Sequence, residues 1–475
     1  MRILIGIPGL AALLLGAAAH GQSLRGNDSE GALDPRMSQM LADCRSSFAG
    51  VDRQVAEAGV GDASYFRVPG FPYLRSDRLI TAFTEELGSV ENFDIWTQQL
   101  RENDSLGREV ELHNLGLPDE QVALMLSDLR LCAVWLNNIE LDDEETVRRL
   151  VRAAAVPAEY PQLLGRGELR PPNETANPAG LGEPQLWRVQ READPAELPS
   201  QFRRITRDSL GRIGLVMSAW RALVEHHAPV FLVDTAGAHD RPGLPVFRDG
   251  RPGVDSQQPV VHYLISFARS HGRSLVQISY FLWFDQRPPL RAEDAAAGDL
   301  DGLIWRVTLD DDGRPLVYDT LSSRGTGHQW FAAPGVRARA ATTVAGTVPA
   351  GEMAVRVASA SHQVVGLMAP PAAAAVGQYR LQPYENLTLM DDGKGGTRSL
   401  FGPDGVVPGS ERAHAEAAWP EAVDKPGAVR QSGFHALSFS RGLYFDDPRL
   451  IDQAFEVPPP ASVLSEAAGQ GAAAR

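Results

Sequence analysis

Lysine is almost missing from this chain. Of 475 residues only Lys394 and Lys425 are lysines, so arginine carries nearly all the positive charge. With no lysine before Lys394, a serine–lysine nucleophile pair of the SxxK kind is excluded. Other enzyme signatures are missing too. There is no HExxH pair to hold a catalytic zinc, no GxSxG nucleophile elbow, and no Walker or Rossmann glycine pattern between a strand and a helix. Asn103-Asp104-Ser105-Leu106 and Arg207-Asp208-Ser209-Leu210 each lack the leading glycine of a GDSL block and are coincidences. Positive charge is in short supply overall: the formal net charge of -15 argues against nucleic acid or an anionic lipid surface as the main partner.

Long apolar runs are confined to the start. Arg2 precedes an apolar run from Ile3 to Ala19 broken only by Gly and Pro, and Ala19-His20-Gly21 offers a small-x-small cleavage pattern. Residues 1–21 therefore read as a secretory signal peptide cut after Gly21, and the mature protein is expected to be soluble and periplasmic, possibly secreted. No cysteine follows the run to anchor a lipid, and no later segment is expected to cross a bilayer.

Cysteine occurs twice. Met37, Met40, Leu41, Cys44, Phe48 and Val51 recur at helical spacing, as do Val122, Met125, Leu129, Cys132 and Leu136. Both thiols lie on core-facing helical stripes, and an oxidising compartment would let Cys44 and Cys132 pair. Neither sits in a loop beside a base, which speaks against a catalytic cysteine.

The fold class expected is α+β: a helical region over 34–156, then a β-rich, mainly antiparallel region over 187–455 with one or few helices. A Pro/Gly-rich linker over 157–186 would join them, and an Ala/Gly/Pro tail over 456–475 has nothing to bury. Helices are expected from Asp77 after Ser76, from Pro118 as first helical residue, over Asp142 to Ala155 and over Asp208 to His227. Strands are expected at Val230 to Val233, Val260 to Phe267, Leu275 to Phe284, Leu303 to Leu309, Leu316 to Leu321, Ala354 to Ser359, His362 to Leu367 and Phe434 to Phe439. Asp310-Asp311-Asp312-Gly313 lacks the alternate ligand spacing and distal Glu of a calcium loop and reads as a turn.

The most site-like feature is the hairpin Val260 to Phe284, turning between His271 and Gly272. That register sets His262 opposite Phe281, Leu264 opposite Ser279 and Ser266 opposite Gln277. One face is apolar throughout. The other carries His262, Ser266, Gln277, Ser279 and Trp283, a mixture suited either to lining a cleft or to a second packed layer. Asp319 ends a strand and His328 follows the loop Ser322-Ser323-Arg324-Gly325-Thr326-Gly327. With His262 they form a candidate acid/base group. His226, His227, His239, His362 and His435 read as structural. No cofactor is expected.

Pro69-Gly70-Phe71-Pro72-Tyr73-Leu74-Arg75, Val233-Asp234-Thr235-Ala236-Gly237, and Asp301-Gly302-Leu303-Ile304-Trp305-Arg306-Val307-Thr308-Leu309 through Tyr318-Asp319 resemble a family of exported proteins from Gram-negative bacteria. The resemblance implies organisation and export but no activity. The family's segment after Tyr-Asp carries His, two Cys separated by Gly, and a closing His; this chain keeps Gly325 and His328 but has Ser322, Arg324 and Thr326 elsewhere. A metal at His328 is therefore not expected. Two functional readings follow: a periplasmic binding or structural module of the cell envelope, and a hydrolase-like enzyme using His262, Asp319 and His328.

Overall fold

A computed structural model describes residues 34–155, 182–191, 202, 205–294, 296–412, 425–438 and 443–457. The segment expected to be a signal peptide, most of the expected linker and residues 458–475 lie outside them. In the first region, helix α1 (Pro35–Ala58) is followed by strands β1 (Phe66–Val68) and β2 (Phe71–Ser76). Helices α2 (Arg78–Ala82), α3 (Val90–Asn114), α4 (Asp119–Glu140) and α5 (Glu144–Ala153) complete it. The expectation of a purely helical region thus holds only in part, because β1 and β2 form an antiparallel hairpin in its middle. Capping is local chemistry: Asp77, not Ser76, accepts the Ile80 amide to start α2, Pro118 is the cap rather than the first residue of α4, and Asp143 caps α5.

The aromatic β2 pins this region together. Phe71, Tyr73 and Leu74 are fully buried with Phe48 of α1, Trp96 and Leu100 of α3, and Leu129 and Leu136 of α4. Cys44 of α1 and Cys132 of α4 are joined by a disulfide, with their Cα atoms 5.3 Å apart. Next to this core, Arg75 is buried between Asp104 (Nε to Oδ1, 3.1 Å) and Glu111 (Nη2 to Oε2, 2.6 Å). Gly107 of α3 makes room for it, since a Cβ there would lie 2.5 Å from the Arg75 guanidinium. One expectation meets an exception in α4, which is long and apolar enough to span a bilayer by length and composition. Here it packs on α1 and α3 and is held by the disulfide.

The second region is built on one sheet. Its strands are β3 (Glu183–Val189), β4 (Val230–Thr235), β7 (Val260–Ser270), β8 (Arg273–Arg287), β9 (Gly298–Leu309), β10 (Pro315–Ser322), β11 (Gln329–Ala332), β13 (Val344–Thr347), β14 (Ala354–Val357), β15 (Val364–Met368) and β16 (Ala375–Pro383). Outside it, β5 (Leu244–Arg248) pairs β6 (Arg251–Asp255), and β12 (Arg337–Ala338) pairs Phe455–Glu456. The order β13-β11-β10-β9-β8-β7-β16-β3-β4-β14-β15 places eleven strands side by side. The sheet is mixed, correcting the expectation of a mainly antiparallel one: β11/β13, β7/β16, β16/β3 and β4/β14 are parallel. Two of these four pairs come from β16, which returns late in the chain and runs between β7 and β3 instead of extending an edge.

Helix α6 (Met217–His226) is shorter than the helix expected over Asp208 to His227. Asp208 accepts the amides of Leu210 and Arg212, and Gly211 takes φ +75°, so residues 208–214 form a turn instead. Leu210 and Ile213 are nonetheless buried, and Leu223 and Val224 of α6 cover the face made by Val276, Ile278, Tyr280, Leu282, Trp305 and Val307. The opposite face is covered by residues 384–407, 429–438 and 443–445, through Tyr384, Leu387, Leu400, Val407, Val429 and Phe445. The two regions meet through polar contacts. Arg78 donates to Gly433 O and Asp446 (both 2.7 Å) and lies over the Tyr444 ring; Arg269 bonds Glu86 and stacks on Phe83.

The disulfide closes a loop of 88 residues, and a cross-link of that span restricts the unfolded chain by an amount worth about 4 kcal/mol. Cys44→Ser should therefore lower the melting temperature by ten degrees or more under non-reducing conditions, and reductant should bring the wild type to the same value. An unchanged melting curve would mean that packing alone holds α1 on α4.

Candidate functional site

The hairpin β7–β8 has the register expected: His262 pairs Phe281, Leu264 pairs Ser279 and Ser266 pairs Gln277. The turn residues His271 (φ +48°) and Gly272 (φ +75°) are both left-handed, as a two-residue turn between twisted strands requires. The mixed face, however, is closed. His262, Gln277, Ser279 and Trp283 are all buried, and Trp283 belongs to the cluster with Tyr384, Leu400 and Phe445. Gln277 donates Nε2 to Thr308 Oγ1 at 3.0 Å. His262 Nδ1 is buried without a hydrogen-bond partner, and burial pushes its imidazole down to about 3. The face is a second packed layer.

Asp319 and His328 do come together. Asp319 on β10 pairs in register with Arg306 on β9, which grips it with two bonds, Nε to Oδ1 at 2.9 Å and Nη2 to Oδ2 at 2.6 Å. His328 Nε2 lies 3.0 Å from Asp319 Oδ2. Burial alone would raise the Asp319 carboxyl, but the Arg306 charge and the His328 hydrogen bond hold it below the ordinary carboxylate range. The His328 ring packs edge-on against Trp330 and Phe445 and keeps 17% of its side chain exposed. His262 does not join them. It sits on β7, three strand spacings from β10, or about 14 Å.

A denser centre lies on the other side of the same loop, and sequence reading missed it. His362 places Nδ1 2.8 Å from Asp301 Oδ2, while Nε2 lies 3.1 Å from His239 O and 3.4 Å from Asp240 Oδ1. Its ring stacks flat on Phe284 with centroids 3.8 Å apart. Arg324, from the β10–β11 loop, comes within 3.4 Å of Asp301 Oδ1, and Asp240 accepts the amides of Ala236 and Ala360 and the Ser359 hydroxyl. Burial would lower His362 and raise both carboxyls. The mutual hydrogen bonds and charges, with Arg324 on Asp301, reverse this, so the imidazole is held above its ordinary value and the two carboxyls well below theirs. Leu300, Ala360 and His362 all have positive φ here, +55°, +61° and +50°, a concentration of strain worth about 1–3 kcal/mol per residue. Asp301 falls within the Asp301-Gly302 motif, but no spacing rule links it to Asp240 or His362, which come from two other loops.

Both ring nitrogens of His362 are committed to carboxylates and a carbonyl, so this centre works as a lock joining the ends of β4, β9 and β14. It can hold a protonated imidazole but presents no basic nitrogen. Among the described residues no group of three or more His, Cys, Asp or Glu side chains is arranged to hold a metal ion. Open concavities are present among the described residues. One, of about 880 Å³, lies at the end of β4 against Thr235, Ala236, Gly237, Arg241 and Pro371. Another, of about 530 Å³, runs between α3 and α4. Compared with protein-family models, curated proteins and solved structures, the chain matches none of them.

Because His262 Nδ1 is unpartnered, His262→Leu should leave stability at pH 7 unchanged or raised, whereas His262→Ala, which opens a hole, should lower it by about 2–4 kcal/mol. Urea denaturation checks both. Loss of stability in His262→Leu as large as in His262→Ala would show that the imidazole is hydrogen-bonded.

Acid sensitivity follows from the same burial. His227 and His262 are pushed down to about 3 and His435 to about 4, chiefly by desolvation. In the unfolded chain these rings take up protons near pH 6.5. The folded state then binds fewer protons than the unfolded one, so their contribution is complete above pH 6.5 and is lost as pH falls through that value toward 4 and 3. His362 runs the other way: its contribution is full below pH 6.5 and is lost as pH rises through its elevated folded value. The melting temperature should drop steadily from pH 6.5 to pH 4, and His262→Leu should flatten that slope. An identical slope in the variant would show that His262 titrates normally when folded.

Proposed function

We propose that this protein is an exported binding or structural module of the cell envelope, and of the two, a binding module. The observation that carries the reading is closure. The central strands β8 and β9 are covered on both faces, the His362 centre spends its imidazole on two carboxylates, and among the described residues a lobe at the end of β4 and the groove between α3 and α4 stay open. Export to the periplasm supports the reading from two sides: the apolar leader pattern over residues 1–21, and the Cys44–Cys132 disulfide, which suits an oxidising compartment. The resemblance to exported proteins of Gram-negative bacteria points the same way.

A hydrolase-like reading rests on one observation, the partly exposed His328 hydrogen-bonded to Asp319. That arrangement orients an imidazole as a general base would be oriented. Among the described residues no hydroxyl or thiol is bonded to the ring, so the binding reading is preferred.

Native mass spectrometry of protein isolated from a periplasmic fraction tests this. The expected species begins at Gln22, carries the disulfide, and holds a non-covalent adduct that is shed on denaturation and retained equally by His328→Ala. Ester or amide hydrolysis by an adduct-free protein, falling at least a hundredfold in His328→Ala, would overturn the binding reading in favour of the enzyme.

A further inference from the structure

We infer that the groove between α3 and α4 binds a single-chain anionic amphiphile, its acyl chain along the helices and its carboxylate at Arg101. The inference rests on the binding reading above and names the class of ligand. Gln98, Arg101, Glu102 and Ser105 of α3 recur at i, i+3, i+4 and i+7 and so share one face; Leu126, Leu129, Arg130, Ala133 and Val134 of α4 do the same opposite them. The groove's volume, about 530 Å³, lies within the range of small-molecule sites, roughly 300–1,000 Å³. Its floor is Leu126, Leu129 and Ala133, and its rims are Leu106 and Val134, which leave 43% and 42% of their surface exposed. Leu124, further along α4, is 65% exposed. A helix apolar enough to cross a membrane, yet with only a third of its apolar window buried, has apolar surface still to cover.

The charges around the groove choose the head group. Asp104 is neutralised by Arg75 and Arg108, and Arg108 is in turn held by Asp104 and Asp52. Glu102 accepts from Gln98 Nε2 at 2.8 Å, and Arg130 donates Nε to Ser105 Oγ at 2.6 Å. Arg101 differs: its Nε is buried with no hydrogen-bond partner. A buried guanidinium nitrogen left unmatched is costly and is relieved by an acceptor, best a charged one. Arg101, Arg108 and Arg130 stand against Glu102 and Asp104 in the lining, and Asp94 also acts on Arg101, so the local charge balances and it is the unmatched Arg101 nitrogen that calls for an acceptor. A carboxylate on an apolar chain matches both halves of the groove. A neutral chain would leave Arg101 unmatched, and a polyanionic head would meet Glu102.

The test is displacement of 11-(dansylamino)undecanoate from the full mature protein, with dodecanoate and dodecanol as competitors. Dodecanoate should compete at least tenfold better than dodecanol. Arg101→Gln should erase that advantage while leaving dodecanol unchanged, and Val134→Glu should weaken the probe and both competitors at least tenfold, with melting temperatures checked for both variants. Three results would overturn the inference: no probe binding by the wild type, equal competition by acid and alcohol, or binding that neither variant alters. A protein that ignores dodecanoate but still carries a retained mass loses this ligand class and keeps the binding reading; one that retains nothing and hydrolyses esters loses both.

Discussion

Burial of the central strands on both faces is the constraint from which the rest of the structure follows. Along β8 and β9 nearly every residue is buried, whichever way its side chain points. A sheet so covered has no wet face on which to leave polar groups, so each polar side chain of β8, β9 and β10 must find a partner inside or remain unmatched. Most are matched: Gln277 with Thr308, Arg306 with Asp319, Thr320 with Ile304 O. His262 and Trp283 each keep one nitrogen unpaired. The polar residues that make this surface look like a cleft wall in the sequence are there to be satisfied by a second layer of chain.

That distinction explains what could be read in advance. The turn at His271-Gly272, the pairing of His262 with Phe281 and the two faces of the hairpin all follow from short-range rules of alternation and turn chemistry, and the structure has them. The stripes bearing Cys44 and Cys132 were legible because a 3.6-residue repeat survives in sequence. What covers the mixed face was not legible. The covering segments, residues 384–407, 429–438 and 443–445, hold only short pieces of regular structure and, apart from the strand expected at Phe434 to Phe439, little periodicity to read. The β1–β2 hairpin was missed because its strands of three and six residues are too short to interrupt a helical pattern convincingly. Of the candidate site, Asp319 and His328 were found through proximity in sequence. Asp301 on β9, Asp240 in the turn after β4 and His362 in the β14–β15 loop are far apart in the chain, and no pairwise spacing announces them.

The near-absence of lysine acquires a structural meaning here. Arg75, Arg108, Arg287 and Arg306 are among the largest fully buried side chains, and three of the four sit against carboxylates. A guanidinium is planar, weakly hydrated and able to reach two acceptors at once, so it can be buried in a fork of hydrogen bonds where an ammonium would shed its proton or stay in water. Arg306 shows all of this, bonded twice to Asp319, once to Phe445 O, and lying over the Phe445 ring at 3.7 Å. The same chemistry fastens the helical region to the sheet through Arg78 and Arg269.

The position of β16 bears on how such a chain reaches its folded state. Residues 375–379 pair with β3 and residues 380–383 with β7, so one late strand welds two blocks of sheet whose other members precede it in the chain. Until it arrives, β7 and β3 each present an open edge capable of pairing with any extended backbone nearby. In a chain that forms from its N-terminus, both edges stay open from the completion of the β7–β8 hairpin at Arg287 until residues 375–383 follow. The sheet is thus assembled by a keystone that comes last, and survival of the half-built protein would depend on whatever shields those edges in the interval.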